Sequence, residues 1–304
     1  MALLSCAIYV SSGVASIASR VAAVAAAAHP RVCVVDTFTD VAYARSSIKL
    51  VAEAEPLLAA ARAATAEALA LVDLSQEPHP APHPRQGALD MVSFMPLSEA
   101  SADELANEIA ACDAVAWRLG GALGEIDCPV LMYGPRAGRS LLDTRRGTSF
   151  FASCRAGSPR EASTSLDLDF GGRALGVAPV VAAAPASAGL LPQRSGVAII
   201  GVQPYVTNFN IQVEAATLAD CKAAAAALRS EMGVQVMALP HEASGTIEIG
   251  CNLQATQERA SPARDAVLAF VQGRLPAEAM VRKSYVIGLT PGDAKEKGAL
   301  GLAG

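Results

Sequence analysis

Aromatic residues make up only 4% of this 304-residue sequence, with one tryptophan, and acids outnumber bases to leave a formal net charge of -5. A nucleic-acid surface needs a basic excess, so that class of partner is not expected. No uninterrupted apolar run reaches the roughly 18 to 20 residues that cross a bilayer, and the N-terminus lacks the basic-then-apolar order of a signal peptide. A strand beginning by about Leu4 leaves no room for a transit peptide, so a soluble, cytoplasmic chain without a membrane contact is expected. There is no CxxC pair and no Cys/His group with zinc-ligand spacing, which argues against a bound metal. The seven cysteines, at 6, 33, 112, 128, 154, 221 and 251, are odd in number, scattered, and mostly inside apolar runs. They read as reduced packing residues. A phosphate loop is missing too: GGRALG at 171–176 has neither the strand nor the helix that would give it meaning.

What is abundant is alanine, in runs such as Val21 to Ala28, which supplies helix propensity more than buried volume. Apolar periodicity gives a strand over Leu3–Val10 and a helix over Val14–Ala28, for which Ser11 or Ser12 is available as N-cap. Strands over Val32–Asp36 and Ser46–Ala52, a helix over Glu55–Leu74 and a strand over Asp90–Pro96 complete βαββαβ, the split ferredoxin-like order. A helix over Ser101–Gly120 and the strand Pro129–Tyr133 extend it. From about Ser158 to Ser195 a Gly/Ala/Pro-rich stretch without period reads as a linker. Beyond it, GVAIIGV and YVTNFNIQV are expected to pair as a hairpin, followed by helices over Thr217–Met232 and Ser261–Gly273 with strands between and after them. The fold class is therefore α+β: two related ferredoxin-like units, residues 1–190 and 191–292, with a ligand cleft between them as the default expectation. The tail 293–304 reads as disordered.

Two of the four histidines lie in EPHPAPHPRQGALD, residues 77–90. Each is followed by proline, which holds the backbone extended and keeps His79 and His83 out of a helix. A stiff loop entering a strand preorganises a group that accepts and gives protons near neutrality. The segment from Arg136 to Arg160 carries six arginines against the single acid Asp143, either a solvated face or a seat for an anionic ligand.

HPRQGALDMVSFMPLS, residues 83–98, resembles the HPRxGAxD signature of the formiminotransferase domain, the folate-dependent glutamate formimidoyltransferase half of formiminotransferase-cyclodeaminase. The resemblance runs in order through VLMYGPRA (130–137), DTRRG (143–147), LDFGG (168–172), NFNIQV (208–213) and SYVIGLTP (284–291), and CAIYVSSG and FTDVAYARS resemble plant-type stand-alone relatives. It implies two subdomains with a folate cleft between them, tetrahydrofolate as co-substrate, a homodimer, and His83 as catalytic acid/base. It also implies folate and substrate contacts at Arg45, Arg85, Gly87, Asp90, Arg136, Arg145, Arg146, Asp169, Gly171 and Asn210. Departures stand beside these matches. YVSSG at 9–13 replaces an NFSEG motif, YAR at 43–45 replaces HNR or TNR, and Gly201, Val202 and Gln203 stand where the family has GAR. A non-catalytic folate-binding or assembly protein is thus the alternative to a transferase.

Overall fold

β1 (Leu4–Val10) turns Leu4, Cys6, Ile8 and Val10 to one face and Ser5, Ala7 and Tyr9 to the other, the period of two that a half-buried strand requires. A computed structural model of the chain describes residues 2–41, 44–76, 85–98, 102–148, 163–172, 189–190, 194–241, 244–255 and 260–303. Around β1 it places α1 (Ala15–Ala27), β2 (Val32–Asp40), β3 (Arg45–Ala52), α2 (Ala54–Leu71) and β4 (Leu89–Pro96). These strands pair antiparallel in the order β2-β3-β1-β4, the expected split arrangement. After α3 (Ala102–Glu125), β5 (Val130–Tyr133), α4 (Leu141–Arg146), β6 (Ser163–Thr164) and β7 (Gly189–Leu190), β8 (Ala198–Val202) inserts between β4 and β5, parallel to both. The sheet order becomes β2-β3-β1-β4-β8-β5.

The alanine runs explain the helical layer. α1 buries Ala18, Val21 and Ala25, and α2 buries Ala60, Ala61, Ala64 and Ala68, so both lie close against the sheet. α3 adds Cys112, Val115, Ala116, Leu119 and Leu123 to the same core. Cys6, Cys112, Cys128, Cys221 and Cys251 are buried and unbridged, as the sequence suggested, and Cys154 lies outside the described residues. Burial pushes the Cys128 and Cys251 thiols up to about 12, so they remain protonated packing groups.

The chain divides into two compact units, Met1–Gln203 with Ala294–Gly304, and Pro204–Asp293. The second repeats the first in outline: β9 (Thr207–Glu214), α5 (Leu218–Met232), β10 (Gln235–His241), β11 (Thr246–Leu253), α6 (Arg264–Gln272) and β12 (Met280–Ile287), with strand order β10-β11-β9-β12. α5 opens with a reciprocal Thr217–Asp220 capping box and stops at Gly233, whose φ of 68° ends the helix.

Four local expectations are corrected. The run GVAIIGV does not form a hairpin with β9; as β8 it completes the first sheet, because its alternate apolar residues Ala198, Ile200 and Val202 face the α3 side. The first unit therefore reaches Gln203 rather than 190. Within the presumed linker, Leu166 and Leu168 pack on Met91, Tyr133 and Val197, and Phe170 bridges to Val130, so residues 163–172 belong to the first unit. Neither serine caps α1: its N-cap is Val14, and Ser11 is drawn away to Gly87 and Arg45. Finally, the stretch expected to be a disordered tail is α7 (Pro291–Ala303). Ala294 and Gly298 are buried on it at helical spacing, and Lys297 Nζ donates to the Val35 carbonyl at 2.5 Å.

α7 lies on the sheet face opposite α1, because it meets Val51 and Cys33, which alternate with core residues. A Cβ at Gly298 would stand 2.4 Å from Val51 Cγ1, and one at Gly301 2.4 Å from Cys33 Sγ. Gly298→Leu is expected to overpack this seam at a cost of about 1 to 3 kcal/mol, read as a lower urea midpoint with unchanged slope. An unaltered midpoint would show that α7 is not seated there.

Candidate functional site

One end of the first sheet, on the face not covered by α1 to α3, brings together Arg45, Gly87, Asp90 and Arg145 of the sequence-expected residues. Arg45 opens β3 directly after Ala44, which adopts a left-handed φ of 49°. It is 8% exposed, its Nη2 stands 3.4 Å from Asp90 Oδ1, and its Nη1 donates to Ser11 Oγ. Burial pulls the guanidinium below its usual value; Asp90 raises it again and Arg145 lowers it. Asp90, 3% exposed, also accepts from the Gln86 backbone N–H at 3.2 Å. Ser11 Oγ in turn donates to the Gly87 carbonyl at 2.6 Å. Three side chains from three segments, Arg45, Asp90 and Ser11, thus fasten the stretch that leads into β4.

Gly87 must be glycine. It bridges to Gly196, and a Cβ there would stand 2.2 Å from the Val197 carbonyl oxygen. Gln86 beside it is buried; its Oε1 accepts from Thr148 Oγ1 at 2.9 Å, while its Nε2 has no acceptor among the described residues. Arg85 donates to the Leu74 carbonyl at 3.4 Å, tying the same segment to the end of α2. His79 and His83 lie outside the described residues.

Further along this face, the register aligns Asp36, Lys49, Ala7, Ser93, Gly201 and Tyr133 in one row. The Tyr133 ring crosses Gly201, and its hydroxyl meets Ser93 Oγ, which also accepts from Gln203 Nε2 at 3.0 Å. Burial raises the Tyr133 phenol, so it stays protonated, and lowers the Lys49 ammonium against the opposing pull of Asp36. Arg145, on α4, reaches Met91 Sδ at 3.7 Å, one row nearer Arg45. Lys49, Tyr133, Ser93 and Ser11 went unread in the sequence because only strand register brings them together.

The other expected residues are placed elsewhere. Arg136 lies 4.2 Å over the Trp117 ring of α3, and Arg146 is exposed at the end of α4. Asp169 accepts from the Met132 N–H at 2.7 Å and pairs with Arg139, so it fixes β5. Gly171, at φ 72°, lies where a Cβ would be 2.0 Å from the Cys128 carbonyl oxygen. The arginine-rich segment therefore does not converge on one anion among its described members. In the second unit Asn210, 8% exposed, donates from Nδ2 to Glu248 Oε1 at 2.8 Å. Among the described residues there is no group of three or more metal-ligating side chains, and no helix is long and apolar enough to cross a membrane.

The Arg45–Asp90 pair gives a direct test. Asp90→Leu alone strands a buried guanidinium and is expected to cost about 3 to 5 kcal/mol. Arg45→Met with Asp90→Leu should recover most of that loss, as read from urea unfolding. Equal losses in the single and double variants would mean that the two residues act independently.

The comparisons with known proteins fall on this same frame. A family described as "Formiminotransferase domain, N-terminal subdomain" matches residues 3–203, ending where the first compact unit ends at Gln203. The "Formiminotransferase cyclodeaminase-like protein" of Arabidopsis thaliana is 27% identical over 281 residues, spanning 88% of this chain and 86% of the relative. The "Glutamate formimidoyltransferase" of Thermoplasma acidophilum is 26% identical over 274 residues, spanning 86% of this chain and 79% of its own. The RQGALD stretch, residues 85–90, that the buried Arg45–Asp90 pair secures lies inside the family match, which covers more than half of the sequence, and the chain belongs to the formiminotransferase domain family.

Proposed function

We propose that this chain is a folate-dependent one-carbon transferase, moving a formimidoyl or formyl group to or from N5 of tetrahydrofolate, with His83 as acid and base. The observation that carries the reading is the buried Arg45–Asp90 pair holding Gln86 and Gly87, the anchored end of the segment on which His83 lies. A proton carrier is of use only if its loop is fixed. Three ties, from Asp90, Ser11 and Leu74, fix the stretch that follows it.

The residues present fit such a substrate. Lys49 and Arg145 share one face of the first sheet with the Arg45–Asp90 pair and bring positive charge to it for the carboxylates of a folate tail or of formiminoglutamate. The buried Gln86 Nε2 is a donor in want of an acceptor on the same wall. Tetrahydrofolate supplies the nucleophilic nitrogen. The His83 imidazole takes the proton that N5 sheds as its bond to the one-carbon unit forms, then gives it to the glutamate nitrogen as that bond breaks, so no net proton is gained or lost. Such a relay contributes about 10² to 10⁴ in rate.

A specific observation favours the second reading, a folate-binding protein without turnover. Gln203, at the position of the family's arginine, spends its amide on Ser93 and the Tyr133 pair. The donor's carboxylate loses a charge-assisted partner there.

Calorimetric titration of the chain with tetrahydrofolate and 5-formyltetrahydrofolate, followed by turnover with N-formiminoglutamate, separates these readings. The transferase reading expects binding, and turnover that His83→Ala lowers by about 10² to 10⁴ with folate affinity kept. Binding without turnover leaves the second reading, and no binding removes both. If Gln203 is what limits the donor, Gln203→Arg should tighten formiminoglutamate by about tenfold or more, the worth of one charge-assisted hydrogen bond. Unchanged donor affinity would place the limit elsewhere.

A further inference from the structure

α7 is built unevenly along its length. Its start is well made. Thr290 Oγ1 accepts from the Asp293 N–H at 3.1 Å, Asp293 Oδ2 accepts from the Thr290 N–H at 3.1 Å, and Pro291 follows as the first helical residue. The rest is a poor helix. Gly292, Gly298 and Gly301 fall among its 13 residues, and the last turn holds no basic residue to meet the helix dipole. An isolated helix shorter than about 12 to 15 residues is marginal in water even when rich in alanine. What keeps α7 helical is therefore the surface beneath it.

That hold is slight. Ala294 and Gly298 are buried, whereas Leu300 is 68% exposed and Lys295, Glu296 and Ala299 face solvent. A methyl group and a bare backbone take little apolar area out of water. Cys33 Sγ adds a weak contact to the Lys297 carbonyl at 3.8 Å. The stronger tie is from Lys297 Nζ to the Val35 carbonyl, at 2.5 Å. Val35 stands in a bulge of β2, where the register with β3 jumps from Val34 to Asp36 and leaves it unpaired in the ladder. Asp36 follows at once and pairs in register with Lys49, which lies on the same face as Val51 and two residues before it.

From this arrangement we infer that α7 is a hinged cover on the face that α1 to α3 leave uncovered: it turns about its capped Thr290–Asp293 end, and its Lys297–Ala303 end lifts to open Lys49 to a carboxylate ligand. Closed, Lys297 pins the bulge beside Asp36, and the glycines let the helix backbone lie directly on Val51 and Cys33. A seam of large apolar residues would anchor the helix by burial. Glycine permits close seating without strong adhesion, which places α7 among the segments that open far below the free energy of global unfolding. The lifting stands on the helix itself, and its use as a gate for folate or donor carboxylates rests on the transferase reading.

Hydrogen exchange with mass spectrometry on the full chain, with acylation of Lys49 by acetic anhydride read beside it, tests the cover. Residues 298–303 are expected to exchange faster than β1 and β3 by about a hundredfold or more, the mark of local opening. Lys297→Met should speed both that exchange and Lys49 acylation by about tenfold or more, the worth of one charge-assisted hydrogen bond. A Cβ at position 301 would stand 3.4 Å from Cys33 Cβ, near the about 3.5 to 4.5 Å of a disulfide, so Gly301→Cys can be oxidised to lock the helix down. The oxidised variant should slow both rates by about tenfold or more, and reduction should restore them. Exchange of 298–303 as slow as that of β3, rates unmoved by Lys297→Met, or Lys49 acylation equal in the locked and reduced forms would each overturn the cover. Tetrahydrofolate titrated into the same samples keeps the readings apart: no binding in any form, with both rates still responding, strikes only the transferase.

Discussion

A guanidinium taken out of water must be met by an acid and by hydrogen-bond acceptors, or it destabilises the structure around it. Arg45 is met by Asp90 and Ser11, and each of these holds a further group: Asp90 the Gln86 N–H, Ser11 the Gly87 carbonyl. The first residue of β3, the second residue of β4 and the turn after β1 are thereby joined at one end of the sheet. Such a pair contributes little net stability against an apolar replacement of the same volume, so its value lies in specificity of geometry. It sets how the stretch from Arg85 enters β4, and with it the wall that carries Arg145 and Gln86.

The two units repeat a single plan, helices on one face of an antiparallel frame and a second face that those helices leave uncovered. They use that second face differently. In the first unit it sets Arg45 against Asp90 and Lys49 against Asp36, adds Arg145 beside an apolar cluster, and is partly roofed by α7. In the second it gathers amides around one acid. The sequences diverge along with this division, since NFNIQV in β9 shows the same alternation as β1 but carries Asn and Gln on the face where β1 has Ser5, Ala7 and Tyr9.

Much of the frame was legible because alternation and helical spacing are local signals. The βαββαβ order follows from short stretches read alone. What stayed hidden depends on partners distant in sequence. The run GVAIIGV is equally apolar whether it pairs with the next strand or with β4, more than a hundred residues earlier, and only the helix-facing core around Ile200 decides it. Asp169 reads as part of a glycine-rich motif, yet its role is set by Arg139 and the Met132 N–H. For α7 a signal was present but outweighed: Ala294, Gly298 and Gly301 are spaced as one helix stripe within a stretch whose glycine and charge content suggests disorder.

That last helix also orders events during synthesis. Unit 2 is continuous in sequence from Pro204 to Asp293, so all of its strands are available as soon as β12 has emerged. Unit 1 is not: β2 and β3 are made before unit 2, while the helix that covers Cys33 and Val51 is made after it. Domains fold as the chain lengthens at about 5 to 20 residues per second, so the seam on the first unit waits some ten seconds or more for its cover. The later-made unit can finish folding before the earlier-made one is closed.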